Sequence, residues 1–325
     1  MASQKDIKAR ISSVKNIEKI TRAMEMVAAA RLRRAEQRID ALRPYADAIR
    51  RMTRRAVEAA DNIPNLPILQ EHDSVERVGL LLVTGDRGLA GSFNSQIIRA
   101  GNRRRAELER DGKQVVWYAS GRRGVSSLTF RGFEVAGGYT GFTDRPAYSD
   151  ARAIADEMIA AYNDDRVDRV EIFYNGFISA MSQEVRHETL LPLAQSDITG
   201  DGDGEGDAEG EGGDGEQPAG DEAEHSPEGE SGGADYDQSR SLWIYEPDPE
   251  AILERLAPDY VEISIYRALL ESTASEHGAR MTAMRSASDN ASELIDDLVL
   301  AANRQRQADI TAQLMEVVAG AEGLR

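Results

Sequence analysis

The sequence predicts an α/β chain in which long N- and C-terminal helices pair as an antiparallel coiled coil around a small Rossmann-like α/β domain. Three observations carry this. Apolar residues recur at steps of three and four over residues 3–59 and again over 258–320, the helical period. Residues 76–196 alternate short β-rich runs with helical ones, the pattern of βαβ units and a largely parallel sheet. Finally, the two ends carry opposite charge. Residues 1–59 hold 15 basic and 7 acidic side chains, and residues 241–325 hold 7 basic and 15 acidic ones, giving +8 against −8.

The first helix is expected to start at Ser3, with Asp6 as a capping-box acid. Its apolar stripe runs through Ile7, Ile11, Val14, Ile17, Ile20, Met24 and Val27, then Ile39, Leu42, Ala46 and Ile49. Pro44 predicts a mild kink near Arg43. Such a helix is roughly 85 Å long at 1.5 Å per residue, too long to pack within one small domain. Residues 60–75, with Pro64 and Pro67, form a linker. Strands are expected at 78–83, 115–119 and 170–174, with a further one at 184–191, and helices at 93–110, 124–130 and 150–163.

Residues 197–239 hold 16 acidic residues, 12 glycines and no lysine or arginine, so they supply almost all of the chain's net charge of −18. A segment so poor in apolar residues is expected to be disordered. It reads as an insertion within the α/β domain, which resumes at 240–257. An inert solubilising loop, an electrostatic brake on a basic partner surface and a cation-binding tract are its three candidate roles. The second long helix covers 258–325. Its expected seam is Met284, Ala287, Ala291, Leu294, Leu298, Ala301, Gln305, Ala308, Ala312, Met315 and Ala319, with no proline inside it. If the domain's first and last residues lie close together, the two helices run antiparallel and their charges favour pairing.

Composition narrows the function. The chain has no cysteine, which excludes disulfides, thiolate nucleophiles and cysteine metal sites. Its four histidines, His72, His187, His225 and His277, show no metal-ligand spacing. No apolar run approaches the ~18 residues of a membrane span, and the first residues lack a signal-peptide apolar region, so a cytoplasmic protein is expected. Gly85, Gly88 and Gly91 lie between a strand and a helix. Their spacing is neither GxGxxG nor a Walker loop, so a tight turn is favoured over a phosphate cradle. Arg31, Arg33, Arg34, Arg50, Arg51, Arg54 and Arg55 suggest a nucleic-acid stripe, but no aromatic interleaves them and Glu36, Asp40 and Asp47 intrude. A solvated or partner-facing helix accounts for them better. No acid–base pair stands out as catalytic.

Four ordered stretches resemble one family. Residues 7–29, IKARISSVKNIEKITRAMEMVAA, are similar to the N-terminal helix of the gamma subunits of F-type ATP synthases. GDRGLAGSFN at 85–94 resembles that family's loop after the first strand, and SEHGARM at 275–281 and NRQRQADIT at 303–311 resemble its C-terminal helix. The resemblance spans the chain except the acidic insertion. It implies a non-catalytic rotor shaft that couples proton-driven rotation of a membrane c-ring to ATP synthesis in a ring of alpha and beta subunits. It implies no cofactor, no metal and no substrate of its own. It places the chain peripherally on the cytoplasmic face of the cell membrane, with alpha, beta and epsilon subunits and the c-ring as partners and no nucleic acid. Residue by residue, it implies that Met24, Arg280, Arg306, Gln307 and Thr311 take part in coupling contacts with beta subunits, and that Trp243, Tyr245 and Glu246 meet the c-ring. The chain departs from the family pattern at Gln313, where glutamate is usual, and at Ala90, where cysteine is common. Its insertion lies where chloroplast relatives carry a redox-regulatory segment, but without cysteine it holds no disulfide switch.

Overall fold

The structure, a computed structural model, describes residues 4–59, 67–72, 74–193 and 249–322. Helix α1 (Gln4–Ala59) leads through a single 3-10 turn (Pro67–Leu69) into the domain. There follow β1 (Arg77–Val83), α2 (Phe93–Arg110), β2 (Gln114–Ser120), α3 (Arg122–Phe130), β3 (Val135–Tyr139), α4 (Tyr148–Asn163), β4 (Arg169–Phe177) and β5 (Gln183–Leu191). Helix α5 (Pro249–Glu322) closes the described chain.

The sheet has the order β3-β2-β1-β4-β5. All its neighbours are parallel except β5, which hairpins back antiparallel on β4. β1 is central and buried along nearly its whole length, as the continuous apolar run Val-Gly-Leu-Leu-Leu-Val requires of a strand covered on both faces. One face packs Leu80, Leu82, Ile97, Leu108 and Trp117 beneath α2. The other joins Leu81, Val83 and Tyr118 to α4 and to Leu253, Ala257, Val261 and Ile265 of α5.

The long helices pair antiparallel. Val14 packs with Ala291 and Ile295, Leu32 with Ala274, and Ile49 with Leu256 and Ile263, so numbers rise on one helix as they fall on the other. Arg285 Nε, 2.9 Å from Glu25, adds an ion pair in the same register. On α1 the sheltered positions are Ile7, Ile11, Val14, Glu18, Thr21, Glu25, Ala28, Leu32, Ala35, Ile39, Leu42, Ala46, Ile49, Thr53 and Ala56, stepping by four and three without a break. That is a 3.5-residue period, which winds two helices into a left-handed coiled coil.

Several details differ from the sequence expectation. Ile17, Ile20 and Val27 share the helical period but lie off the seam, at least half exposed. On α5 the seam runs through Met284, Ser288, Ala291, Ile295, Leu298, Ala302, Gln305 and Asp309. Leu294 is 42% exposed whereas Ile295 is 9% exposed, and Ala301 and Ala308 face outward. Hydrophobicity alone misassigned these because Ser288 and Asp309 are polar seam positions. Helix α5 begins at Pro249, not Pro258, and carries Pro258 within it, as α1 carries Pro44. A proline removes one backbone hydrogen bond. Burial of Leu253, Leu256, Ala257 and Val261 around Pro258 outweighs that loss. Strand β3 was missed because its sequence, Val-Ala-Gly-Gly-Tyr, lacks strand-forming bulk. Ala312 and Met315 are exposed on α5; the side chain of Ala319 is not described, and Ser3, the insertion at 197–239 and residues 240–248 lie outside the described residues.

The seam register is open to measurement. Ile295→Ala should lower the unfolding free energy of the purified chain by about 2 kcal/mol, and Leu294→Ala by no more than about 0.5 kcal/mol, in urea titrations followed by circular dichroism. Equal losses at the two positions would contradict the register.

Candidate functional site

In open α/β sheets ligands bind outside the carboxyl ends of the strands, where successive crossovers diverge. Here that point lies between β1 and β4, since β2 and β3 extend the sheet to one side of β1 and β4 and β5 to the other. The crevice is filled by α5. Ser275 Oγ donates to the carbonyl of Asn175 on β4 at 3.1 Å, and Asn175 Nδ2 donates to Phe93 O at 3.2 Å. Beside it, Gly85, just past β1, lies against Glu276. A Cβ built on Gly85 would stand 2.7 Å from that carboxylate, so a larger residue would push Glu276 aside from its bond to Arg280. This is the physical reason for the first glycine of the 85–94 loop.

The loop is held by its own chain. Asn94 Oδ1 accepts from Gly85 N at 2.8 Å. The Asp86 carboxylate accepts from Arg122 N (2.9 Å), Gly141 N (2.9 Å), Thr143 N (3.2 Å) and Thr143 Oγ1 (3.0 Å). Burial opposes its ionisation, but these hydrogen bonds outweigh burial and hold the carboxyl below its ordinary range. With Glu276 over Gly85 and Asp86 consuming nearby amides, the loop is a joint to α5. Of the three glycines only Gly91 takes a positive φ, 55°, as a tight turn requires; Gly85 and Gly88 serve close approach, to Glu276 and Arg123.

Around the joint runs a buried polar collar. Glu276 is 3% exposed and His277 1%. The Arg280 guanidinium bonds the Glu276 carboxylate, reaches Gly88 O at 3.3 Å and lies 3.3 Å from His277 Nδ1. An arginine is always a donor, so His277 Nδ1 accepts and the ring proton sits on Nε2, facing Asp144. Asp144 in turn pairs with Arg31 of α1. Thr273 Oγ1 lies 2.9 Å from Thr143 O. The collar therefore connects α1, the 141–145 loop, the 85–88 loop and α5. Burial, with Arg280 and Arg31 nearby, pushes His277 down to about 4 despite Asp144. Burial pushes Glu276 upward, opposed by its bond to Arg280.

The residues expected to act in coupling fall in different places. Met24 is half-buried on α1, one position from the seam residue Glu25. Arg280 is 8% exposed and engaged within the collar. Arg306, Gln307 and Thr311 are exposed on the last part of α5, where Thr311 Oγ1 donates to Gln307 O at 2.9 Å. The antiparallel register sets Gln4 opposite the turn around Arg304, so this part of α5 projects beyond α1. Trp243, Tyr245 and Glu246 lie outside the described residues. Asp86, Asp144, Thr143 and His277 were not singled out by sequence reasoning. His277 stood among scattered histidines, and the signal available was its place beside Glu276 in SEHGARM.

An α/β domain whose ligand crevice is filled by one helix of a long two-helix shaft defines the class: a stalk protein with a small α/β domain. Comparison with known proteins agrees. The family model described as ATP synthase matches residues 3–324. The chain is 40% identical over its full length, and 99% of the relative's, to the ATP synthase gamma chain of Rubrobacter xylanophilus. It is 38% identical to that of Moorella thermoacetica with both chains fully covered, and 41% identical to that of Streptomyces coelicolor over 98% of this chain and 94% of the relative. The chain belongs to the ATP synthase family and, within it, to the gamma chains. Among solved structures it resembles the central stalk of the Tetrahymena thermophila mitochondrial ATP synthase, at 25% identity and TM-score 0.54, covering 83% of this chain and 99% of that one. A chain of the Euglena gracilis mitochondrial ATP synthase shares the fold at 18% identity and TM-score 0.63, covering 99% and 94%.

Two outcomes test the collar. Gly85→Ala should destabilise the chain by about 1–3 kcal/mol, seen as a lowered urea midpoint. His277 is neutral when folded and has a depressed pKa, so the unfolded chain binds the extra proton. Its contribution is present above pH 6.5 and is lost as pH falls from 6.5 towards 4, by about 3 kcal/mol. The difference between the stability–pH curves of the parent and His277→Gln isolates this from Glu276, which acts in the opposite direction. A flat difference across that window would contradict the neutral buried ring.

Proposed function

We propose that the chain is the central rotor shaft of an F-type ATP synthase, turning inside a ring of alpha and beta subunits. The observation that supports this most directly is the joint between shaft and domain. A torque applied to the α/β domain passes into α1 and α5 through the buried collar. In this reading the α/β domain meets the epsilon subunit and the c-ring, with Trp243, Tyr245 and Glu246 contributing to the c-ring contact. The projecting end of α5 presents Arg306, Gln307 and Thr311 to beta subunits, and Met24 does so from α1. Arg280 serves coupling from within, by holding the collar together. The complex is peripheral here, on the cytoplasmic face of the cell membrane. Among the described residues no helix is long and apolar enough to cross a membrane.

Such a shaft makes and breaks no bond. It couples two processes because its asymmetric surface offers each beta subunit different contacts, so each subunit's conformational equilibrium is biased by a different amount. The exposed apolar side chains Ile17, Ile20, Met26, Val27, Leu300, Ile310, Leu314 and Met315 give the shaft a surface suited to sliding against a surrounding sleeve.

The test uses the reconstituted complex in vesicles. Arg306→Ala combined with Gln307→Ala should leave assembly with alpha and beta subunits intact and slow ATP hydrolysis and ATP-driven proton pumping together, by roughly tenfold, a loss of about 1.4 kcal/mol. Unchanged turnover would remove these residues from the coupling surface. Failure of the parent chain to assemble with alpha and beta would overturn the shaft itself.

A further inference from the structure

A cleft of about 270 Å³ opens beside the collar, where α1, the loop after β3 and α5 meet. Four arginines line it: Arg31, Arg34 and Arg38 from α1, and Arg145 from the loop. The only carboxylate lining it is Asp144, which is already bonded to Arg31, and the buried His277 forms part of its wall. The lining thus carries three positive charges in excess.

The three α1 arginines are spaced i, i+3 and i+7, which stacks like charges on one helix face and disfavours the helix unless a counter-charge sits there. Arg34 spends one donor, Nε, on Ala30 O at 3.3 Å. The guanidinium groups of Arg38 and Arg145 have no hydrogen bond or ion pair among the described residues. Guanidinium forks match the paired oxygens of phosphate and similar oxyanions. No phenylalanine, tyrosine or tryptophan lines the cleft. Its size suits a tetrahedral oxyanion with accompanying water.

We propose that this cleft is a binding site for a small oxyanion of the phosphate class, held by Arg34 and Arg38 on the shaft and by Arg145 on the domain. The bound anion bridges α1 to the 141–145 loop and stiffens the joint between shaft and domain. This goes beyond the rotor reading and stands independently of it, because it concerns the isolated chain.

Equilibrium dialysis of the purified full-length chain against labelled inorganic phosphate, at constant ionic strength set with chloride, tests it. The expected result is saturable uptake of one phosphate per chain, weakened at least tenfold in the R38Q/R145Q double variant. Both positions are at the surface, so the variant's Tm in chloride should match the parent's, and phosphate should raise the Tm of the parent alone. No saturable uptake, or unchanged uptake in the double variant, would overturn the proposal. So would displacement of phosphate by a synthetic peptide of the acidic residues 201–216 that binds at least tenfold more tightly, because the cleft would then be a docking groove for a carboxylate-rich chain.

Discussion

The architecture depends on the occupation of one crevice. A doubly wound sheet has an open groove outside the ends of its central strands, and here α5 fills it, with Ser275 on β4 and Glu276 over Gly85. Removing that groove from solvent places a carboxylate, an imidazole and a guanidinium in the interior. Each buried polar group must then find a partner. Arg280 meets Glu276, Gly88 O and His277, Asp144 meets Arg31, and the hydroxyls of Thr273 and Ser275 reach backbone carbonyls. The polar closure fixes α5 in rotation and translation more narrowly than apolar packing does, because a slip of one residue breaks every bond in the set.

Beyond the collar the same helix changes character. Through residues 261–280 it is buried on nearly all sides, wrapped by α1, the sheet and α4. From Met284 onward only one stripe is sheltered, and the seam thins to small and polar residues. One helix therefore serves as a domain core element at one end and as an exposed shaft at the other. This explains why its sequence has no single apolar face along its length. Small side chains such as Ala291 and Ser288 stand where the helices approach closely, and apolar ones such as Leu300 and Ile310 are left on the outer surface of the shaft.

Legibility in the sequence followed the strength of local signals. α2 was readable to the residue, since an amphipathic stretch sits between a glycine-rich loop and a turn at Asp111 and Gly112. β3 was not, because Gly137 and Gly138 carry no side-chain preference and the strand is set by its neighbour β2. The start of α5 was hidden by Pro258, a helix breaker in isolation that tertiary burial overrides. The seam was half legible, since period shows that a stripe exists but polar members such as Thr21, Glu25 and Ser288 shift its apparent position. The motif residues of the collar were visible as motifs. Their meeting was not, because Gly85 and Glu276 are brought together by topology alone.

Hydrogen exchange by mass spectrometry on the full-length chain tests most directly whether shaft and domain form one unit. If α5 is locked into the crevice, amides of β1 and of residues 272–280 open together, with the same large free energy, while the projecting residues 305–315 exchange orders of magnitude faster. Exchange of 272–280 at the rate of the projecting end, with β1 still protected, would contradict the account, since it would mean that the helix lies on the domain without being fixed to it.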